Sequence, residues 1–149
     1  MIKKVAILAN GGDVAGFNAV IRGIVKTAEN NDVECYGFID GYNGLLKNEY
    51  VKLSTAEEGN AEGILPKGGS IIGSSTNANV FNYKVVKEDG TVEYQDLSDK
   101  CVQNIKDDGF DCVFTLGGDG TQKSARDFSL KGVNVIGVPK TIDNDVACT

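Results

Sequence analysis

Short apolar runs recur along the chain and predict the buried strands of a parallel sheet. Such strands are covered on both faces, so their sequences are almost continuously hydrophobic. The runs are Lys4–Ala9, Val33–Ile39, Cys112–Leu116 and Val133–Val138. Between the first two, Phe17–Glu29 repeats apolar residues at helical spacing, which predicts a βαβ unit with a right-handed crossover.

The middle of the chain is less regular, and its turn residues predict a hairpin. Lys84–Val86 and Thr91–Tyr94 flank Asp89-Gly90, a dipeptide typical of tight hairpin turns. Ile71–Ile72 follow a pair of glycines and are predicted to belong to a short strand.

Two further helices are predicted at Asp96–Asp108 and from about residue 121 to residue 130. The chain has no internal repeat, linker or low-complexity tract. The alternation of strands and helices predicts an α/β fold with a doubly wound, mainly parallel sheet. In such sheets ligands bind at the carboxyl ends of the strands, where this chain places its glycine-rich turns.

Charge and composition exclude several classes of function. The formal net charge is −6, whereas a domain that holds nucleic acid by its overall field is basic. No apolar run reaches the ~18 residues of a membrane-spanning helix. The apolar stretch at the N-terminus is too short for a secretory signal. We therefore expect a cytoplasmic protein with neither nucleic acid nor membrane as a partner.

The chain has no histidine, so acid–base chemistry must use carboxylates, lysine or tyrosine. Ser-His-Asp and Cys-His catalysis are excluded, and so is zinc bound through imidazole. Cys35, Cys101, Cys112 and Cys148 form no C-x-x-C pair, and we expect them to be reduced thiols in or near the core.

The glycines are clustered in turns, and the first cluster is Asn10-Gly11-Gly12-Asp13. Glycine between a strand and a helix lets phosphate oxygens approach backbone N–H groups. A tight turn by itself explains the cluster equally well. The sequence matches neither G-x-G-x-x-G nor the Walker motif.

The turn Leu116–Thr121 combines three glycines with one carboxylate, Asp119. A hard oxygen ligand beside a phosphate-binding loop is what Mg²⁺–nucleotide binding requires. The alternative is that Asp119 only caps the helix that follows.

The segment Thr141–Asp145 follows the last predicted strand and carries two carboxylates, a hydroxyl and an amide. These groups can orient and deprotonate a substrate hydroxyl. A polar turn is the alternative, since Asn and Asp favour turns. Together with Asp119 after a neighbouring strand, the segment favours one crevice that holds metal, phosphate and base.

Three other side chains are open to two interpretations. Tyr42 lies in a glycine-flanked loop, DGYNG, and either contacts a ligand or serves only the structure. Arg22 and Lys26 lie one helical turn apart, which favours a solvated face over an anion site.

The motifs GGDVAGFNAVIRG, DGYNGLL, GGSIIGSS, LGGDGT and PKTIDND occur in this order from one end of the chain to the other. In combination they resemble the glycolytic 6-phosphofructokinases. NAD kinases and diacylglycerol kinases also carry GGDGT, but they lack the TIDND and GGD-x-x-G-x-N partners.

The resemblance implies transfer of the γ-phosphoryl group of ATP to the 1-hydroxyl of fructose 6-phosphate. By that match Asp119 binds Mg²⁺, and Asp143 is the base that accepts the hydroxyl proton. Sugar binding is implied for Thr141, Ile142 and Asp143, with Thr141 and Asp145 orienting the acceptor. Nucleotide binding is implied for Gly12, Tyr42, Thr76, Asn77, Gly118, Asp119, Gly120 and Thr121.

Two positions bear on the phosphoryl donor. Gly120 accompanies ATP in the family, whereas the pyrophosphate-using branch carries Asp there. Lys140 stands where pyrophosphate enzymes have lysine and many ATP enzymes have glycine. The combination resembles a third, ATP-using branch, so ATP is the predicted donor and pyrophosphate the alternative.

The chain departs from the family at several points. Serine is usual at Asn10 and proline at Ala15, and no arginine is present at Thr76 or Ala78 to neutralise the transferred phosphoryl group.

Family members also continue into a sugar-phosphate domain. We therefore expect these 149 residues to be the N-terminal nucleotide-binding portion of a longer enzyme, whose sheet lacks elements from the remainder. A non-catalytic nucleotide-sensing module is the alternative. For the full-length enzyme the resemblance implies a dimer or tetramer and an activator site that includes Arg22 and Lys26.

Overall fold

The computed structural model describes residues 1–12, 14–76, 79–143 and 145–147. Within them the chain forms seven strands, four α-helices and one short 3-10 turn at Val80–Asn82. The strands are β1 Lys4–Ala9, β2 Glu34–Phe38, β3 Tyr50–Leu53, β4 Tyr83–Val86, β5 Val92–Gln95, β6 Cys112–Gly117 and β7 Val135–Pro139. The helices are α1 Phe17–Glu29, α2 Tyr42–Lys47, α3 Ser98–Asp107 and α4 Asp119–Leu130.

Five strands form the main sheet in the order β3-β2-β1-β6-β7. All neighbouring pairs are parallel except β2 and β3, which are antiparallel at one edge. The predicted α/β fold with a mainly parallel sheet is therefore confirmed. Because β1 is hydrogen-bonded to both β2 and β6, the strand order changes direction there, and the crevice at such a switch point is the usual ligand site.

The central strand is buried on both faces because its residues point alternately to two separate cores. Val5 and Ile7 pack with α1 residues, whereas Ala6 and Leu8 pack with α2, α3 and α4. On the α1 side, an apolar groove of about 560 Å³ extends from α1 towards β7. The expectation that the sheet lacks elements from a longer chain stays a prediction.

Several local predictions are confirmed and others are wrong. The hairpin around Asp89-Gly90 is present as a separate two-stranded sheet, β4 and β5. The strand predicted at Ile71–Ile72 is wrong, because these residues lie in a turn. The side chain of Ile72 is buried in the core and packs against Gly37. The interpretation of DGYNG as a loop is also wrong, since it enters α2 at Tyr42.

The cysteines agree with the sequence analysis where they are described. Cys35, Cys101 and Cys112 are free and buried, while Cys148 lies outside the described residues. Burial raises the pKa of both Cys35 and Cys101 to about 12, so these thiols stay protonated at neutral pH. None of the helices in the described part of the chain is long and apolar enough to cross a membrane.

Candidate active site at the switch point

The chain leaves β1 through a turn that is fixed by its neighbours. Asn10 forms a parallel bridge with Ser75, and its N–H donates to the carbonyl of Leu116 at 2.9 Å. The next N–H, of Gly11, donates to the Ser75 carbonyl at 2.9 Å. Gly11 has φ +112°, a conformation that residues with a side chain rarely adopt. Gly11 and Gly12, which have no side chains, line the crevice described below. Asp13 lies outside the described residues.

The second glycine turn sits directly against the first one. A Cβ atom at Gly117 would lie 2.4 Å from the Asn10 carbonyl oxygen and 2.4 Å from Oγ1 of Thr121. Only glycine allows this approach, so Gly117 holds the start of α4 against the end of β1. Helix α4 begins at Asp119, two residues before the predicted start, and its first N–H groups are available to an anion.

Replacing Gly117 with alanine should test this packing. Both close neighbours are fixed, one as backbone and the other as a buried side chain, so the added methyl must displace the turn. We expect Gly117→Ala to lower the thermal midpoint of unfolding by several degrees. Gly120→Ala is the control, because its Cβ meets no atom within 4 Å and the thermal midpoint should change little. Equal midpoints for the two variants would contradict the packing argument.

Asp119 does not cap its helix. The N-cap residue is Gly118, without a side-chain hydrogen bond, and the Asp119 carboxylate instead pairs with Lys123 at 2.7 Å. Both side chains are more than half exposed, so water and ions reach the carboxylate. The alternative interpretation of Asp119 as a cap is therefore wrong.

The third element, after β7, is tied to the second by a backbone hydrogen bond from Lys140 N–H to the Gly117 carbonyl, 3.0 Å long. The Thr141 hydroxyl donates to Oδ1 of Asp145 at 2.5 Å and accepts from the N–H of Asp143 at 3.2 Å. Thr141 thus fixes the turn, while the carboxylate of Asp143 is exposed. Asn144 lies outside the described residues.

Two cavities meet where these elements converge. The first, about 270 Å³, is lined by Asn10, Gly11, Tyr42, Thr76, Asn79, Gly118, Gly120, Thr121 and Ser124. The second, about 210 Å³, is lined by Asn10, Gly11, Gly12, Gly118, Asp119, Lys140, Thr141, Ile142, Asp143 and Asp145. They share three lining residues, Asn10, Gly11 and Gly118.

Every described residue that the sequence analysis predicted for nucleotide, metal or sugar binding lines one of these two cavities. The nucleotide candidates Tyr42, Thr76 and Gly120 line the first cavity, and the carboxylates line the second. Asn77 lies outside the described residues. Sequence reasoning missed Asn79 and Ser124, although Ser124 follows Gly120 by one helical turn, a spacing that places both on one face of α4.

Tyr42 is 1% exposed and forms part of the wall of the first cavity. Its hydroxyl lies beside the Ser124 side chain, although no hydrogen bond of ordinary geometry joins it to a described residue. Burial raises the pKa of Tyr42 to about 12, so the side chain is a neutral phenol at physiological pH.

Arg22 and Lys26 lie on α1 and line neither cavity. Arg22 is half-buried and Lys26 is exposed. The interpretation of these residues as a solvated face, with an anion site as the alternative, stays a prediction.

The donor set of the second cavity fits Mg²⁺ held together with phosphates. Among the described residues no group of three His, Cys, Asp or Glu side chains converges as a metal cage. Mg²⁺ is commonly bound by one or two carboxylates, with phosphates and water completing its shell. Asp119, exposed beside bare backbone N–H groups, offers one such carboxylate.

Comparisons with known proteins agree with this geometry. A protein-family model described as "Phosphofructokinase" matches residues 4–149. ATP-dependent 6-phosphofructokinase 2 of Clostridium perfringens is 51% identical over 149 residues, which cover 99% of this chain and 40% of that protein. ATP-dependent 6-phosphofructokinase 3 of Bacteroides thetaiotaomicron is 40% identical over 144 residues, which are 96% of this chain and 40% of that protein.

Solved structures support the same similarity. Phosphofructokinase of Pichia pastoris in the T-state superposes with a TM-score of 0.81 at 25% identity, covering 100% of this chain and 16% of that one. A pyrophosphate-dependent phosphofructokinase from Marinobacter aquaeolei has a TM-score of 0.72 at 24% identity, over 99% of this chain and 36% of its own. The chain spans about 40% of the length of the curated relatives described above.

Proposed function

Because the chain belongs to the phosphofructokinase family, we propose that residues 1–149 bind the nucleotide and supply the base of an ATP-dependent 6-phosphofructokinase. The reaction is transfer of the γ-phosphoryl group of ATP to the 1-hydroxyl of fructose 6-phosphate. One observation carries this proposal: Asp119 of the glycine turn and Asp143 of the third element line a single cavity at the switch point.

The donor side is built from backbone. Gly12 and the first turn of α4 line the crevice, and their backbone N–H groups are suited to phosphate oxygens. The first cavity, with its uncharged lining, would accept the rest of the nucleotide beside Tyr42. Mg²⁺, when held by Asp119 and the phosphates, neutralises the charge that develops on the transferred group.

The acceptor side is built from side chains. Asp143 takes the proton of the 1-hydroxyl as that oxygen bonds to the γ-phosphorus, and the bond from phosphorus to the β-phosphate oxygen breaks. ADP leaves with the electron pair of that bond. Thr141, held by Asp145, fixes the backbone of Asp143 so that its carboxylate meets the sugar.

The preference for ATP rests on Gly120, whose Cβ would meet no protein atom within 4 Å. We expect Gly120→Asp to lower ATP-dependent activity by at least about 10-fold, because a carboxylate there occupies the space of the nucleotide and repels its phosphates. The thermal midpoint should be unchanged, because the fold has room for the side chain. Initial rates with ATP and with pyrophosphate check the prediction, and an unaltered KM for ATP would contradict it.

The reaction can be assayed in a fusion of residues 1–149 to the remaining part of the Clostridium perfringens relative. We expect fructose 6-phosphate to be phosphorylated with ATP and Mg²⁺, measured through ADP release, and Gly120→Asp to serve as the donor-site control. Activity with pyrophosphate alone would favour the alternative donor. A folded fusion that binds ATP without transferring phosphate would favour the nucleotide-sensing module.

The family resemblance also bears on the assembly and the location of the enzyme. We infer a homo-oligomeric enzyme in the cytoplasm, of which this chain is the N-terminal nucleotide-binding portion. Its substrates, fructose 6-phosphate and ATP, are those implied by the names of the relatives. Light scattering on the fusion measures the oligomeric state, and a monomer would contradict that part.

A further inference from the structure

Asn10 lies where the two cavities of the site meet. Among the described residues it is the one residue with a side chain that lines both cavities. Both cavities are lined by Asn10, Gly11 and Gly118, and two of these three are glycines. The phosphate chain of a nucleotide that extends from the first cavity into the second would therefore run beside Asn10.

The amide of Asn10 is not explained by the packing of the fold. Its Oδ1 atom is buried and has no hydrogen-bond partner among the described residues. A buried carbonyl oxygen without a donor destabilises the folded state, so such groups are uncommon unless they serve a function. By contrast, the amide of Asn43 nearby is paired on both sides, with Ser75 at 3.2 Å and with Tyr83 at 3.4 Å.

The direction of the amide follows from its contact with Gly41. A Cβ built on Gly41 would lie 2.7 Å from Oδ1 of Asn10, so the oxygen branch packs against that glycine. The nitrogen branch of a planar amide diverges from the oxygen branch, and Nδ2 makes no hydrogen bond to any residue that the structure describes. The side chain thus has two N–H donors that the described part of the fold does not use.

Building on the proposed function, we propose that Nδ2 of Asn10 donates a hydrogen bond to an oxygen of the phosphoryl group during its transfer from ATP to the sugar. The transferred group carries negative charge on its three equatorial oxygens, which fixed N–H donors stabilise. The lining of the first cavity contains no charged side chain, and among the described residues the Asn10 amide is the one side-chain donor that belongs to the linings of both cavities. Asn10 exchanges no proton and forms no covalent bond.

The test compares Asn10→Ala and Asn10→Ser with the wild-type fusion. We expect Asn10→Ala to lower kcat by about 10- to 100-fold, because a donor that acts mainly in the transition state is removed. The KM for fructose 6-phosphate should change less than about twofold, since ground-state binding is spared. Asn10→Ser, which keeps a shorter donor, should recover part of kcat and also covers the case in which the alanine variant does not fold.

Thermal unfolding separates this role from a structural one. Asn10→Ala removes an unpaired oxygen, so the thermal midpoint should stay equal or rise, whereas Asn43→Ala breaks two hydrogen bonds and should lower the midpoint without lowering kcat. If the wild-type fusion is active and Asn10→Ala has the same kcat, this inference is overturned while the proposed function is unaffected. An inactive but folded wild-type fusion would overturn the proposed function and this inference with it.

Discussion

Replacing Asp143 with serine should lower the kcat of the fusion enzyme by at least about 100-fold, since removal of a general base costs about 10²- to 10⁴-fold. The carboxylate of Asp143 is exposed in the second cavity, and its backbone is fixed by the Thr141 hydroxyl. Serine leaves that backbone hydrogen bond in place and removes only the proton acceptor. Steady-state kinetics with saturating ATP measure the effect.

The matched control for this variant is Asp145→Asn. Asp145 accepts a hydrogen bond from the Thr141 hydroxyl at 2.5 Å, and asparagine can still accept it through its carbonyl oxygen. We therefore expect a smaller loss than for Asp143→Ser, with a change in the KM for fructose 6-phosphate. Near-normal kcat in Asp143→Ser, or an equal loss in both variants, would contradict the assignment of the base to Asp143.

The parallel strands were predictable because burial on both faces leaves a continuous apolar signal. β1 and β6 follow this rule and were found nearly to the residue. The antiparallel edge strand β3 was not predicted, since two of its four residues are exposed and its apolar signal is short. Edge strands of this kind are defined by their pairing partner more than by their own sequence.

Helix α2 was missed because its stability comes from the tertiary structure. It has six residues with a glycine in the middle, which local propensity disfavours. A Cβ at Gly44 would lie 2.1 Å from the Ile39 carbonyl oxygen, so close packing against the end of β2 requires that glycine. Ile72 was misassigned for a related reason: a buried side chain in a loop has the same apolar signature as one in a strand.

The site was predictable to the extent that it consists of turns after strands. Asp119 and Asp143 were found because each follows a strand, and strands that are parallel neighbours end at the same edge. The pairing of Asp119 with Lys123 and the position of Asn10 between two cavities depend on side-chain directions. Sequence spacing alone does not determine these directions.

Replacing Asp119 with alanine should remove the response of the enzyme to Mg²⁺. Loss of a side chain that only supports a metal ligand costs about 10- to 100-fold in metal affinity or activity, so loss of the ligand itself should lower kcat/KM for Mg²⁺–ATP by at least about 100-fold. Raising the Mg²⁺ concentration should restore part of the activity. Rates measured across a Mg²⁺ titration at fixed ATP check the prediction.

Lys123→Met separates the loss of the metal ligand from the loss of the ion pair, since it breaks the same 2.7 Å contact and leaves the carboxylate in place. Exposed pairs at this helical spacing contribute only ~0.3–0.5 kcal/mol, so neither variant should unfold α4. We expect Lys123→Met to keep the wild-type dependence on Mg²⁺ while Asp119→Ala loses it. If Asp119→Ala kept that dependence, Mg²⁺ would have to be held by other groups, and the pairing of a metal-binding turn with a base-bearing turn would no longer describe this site.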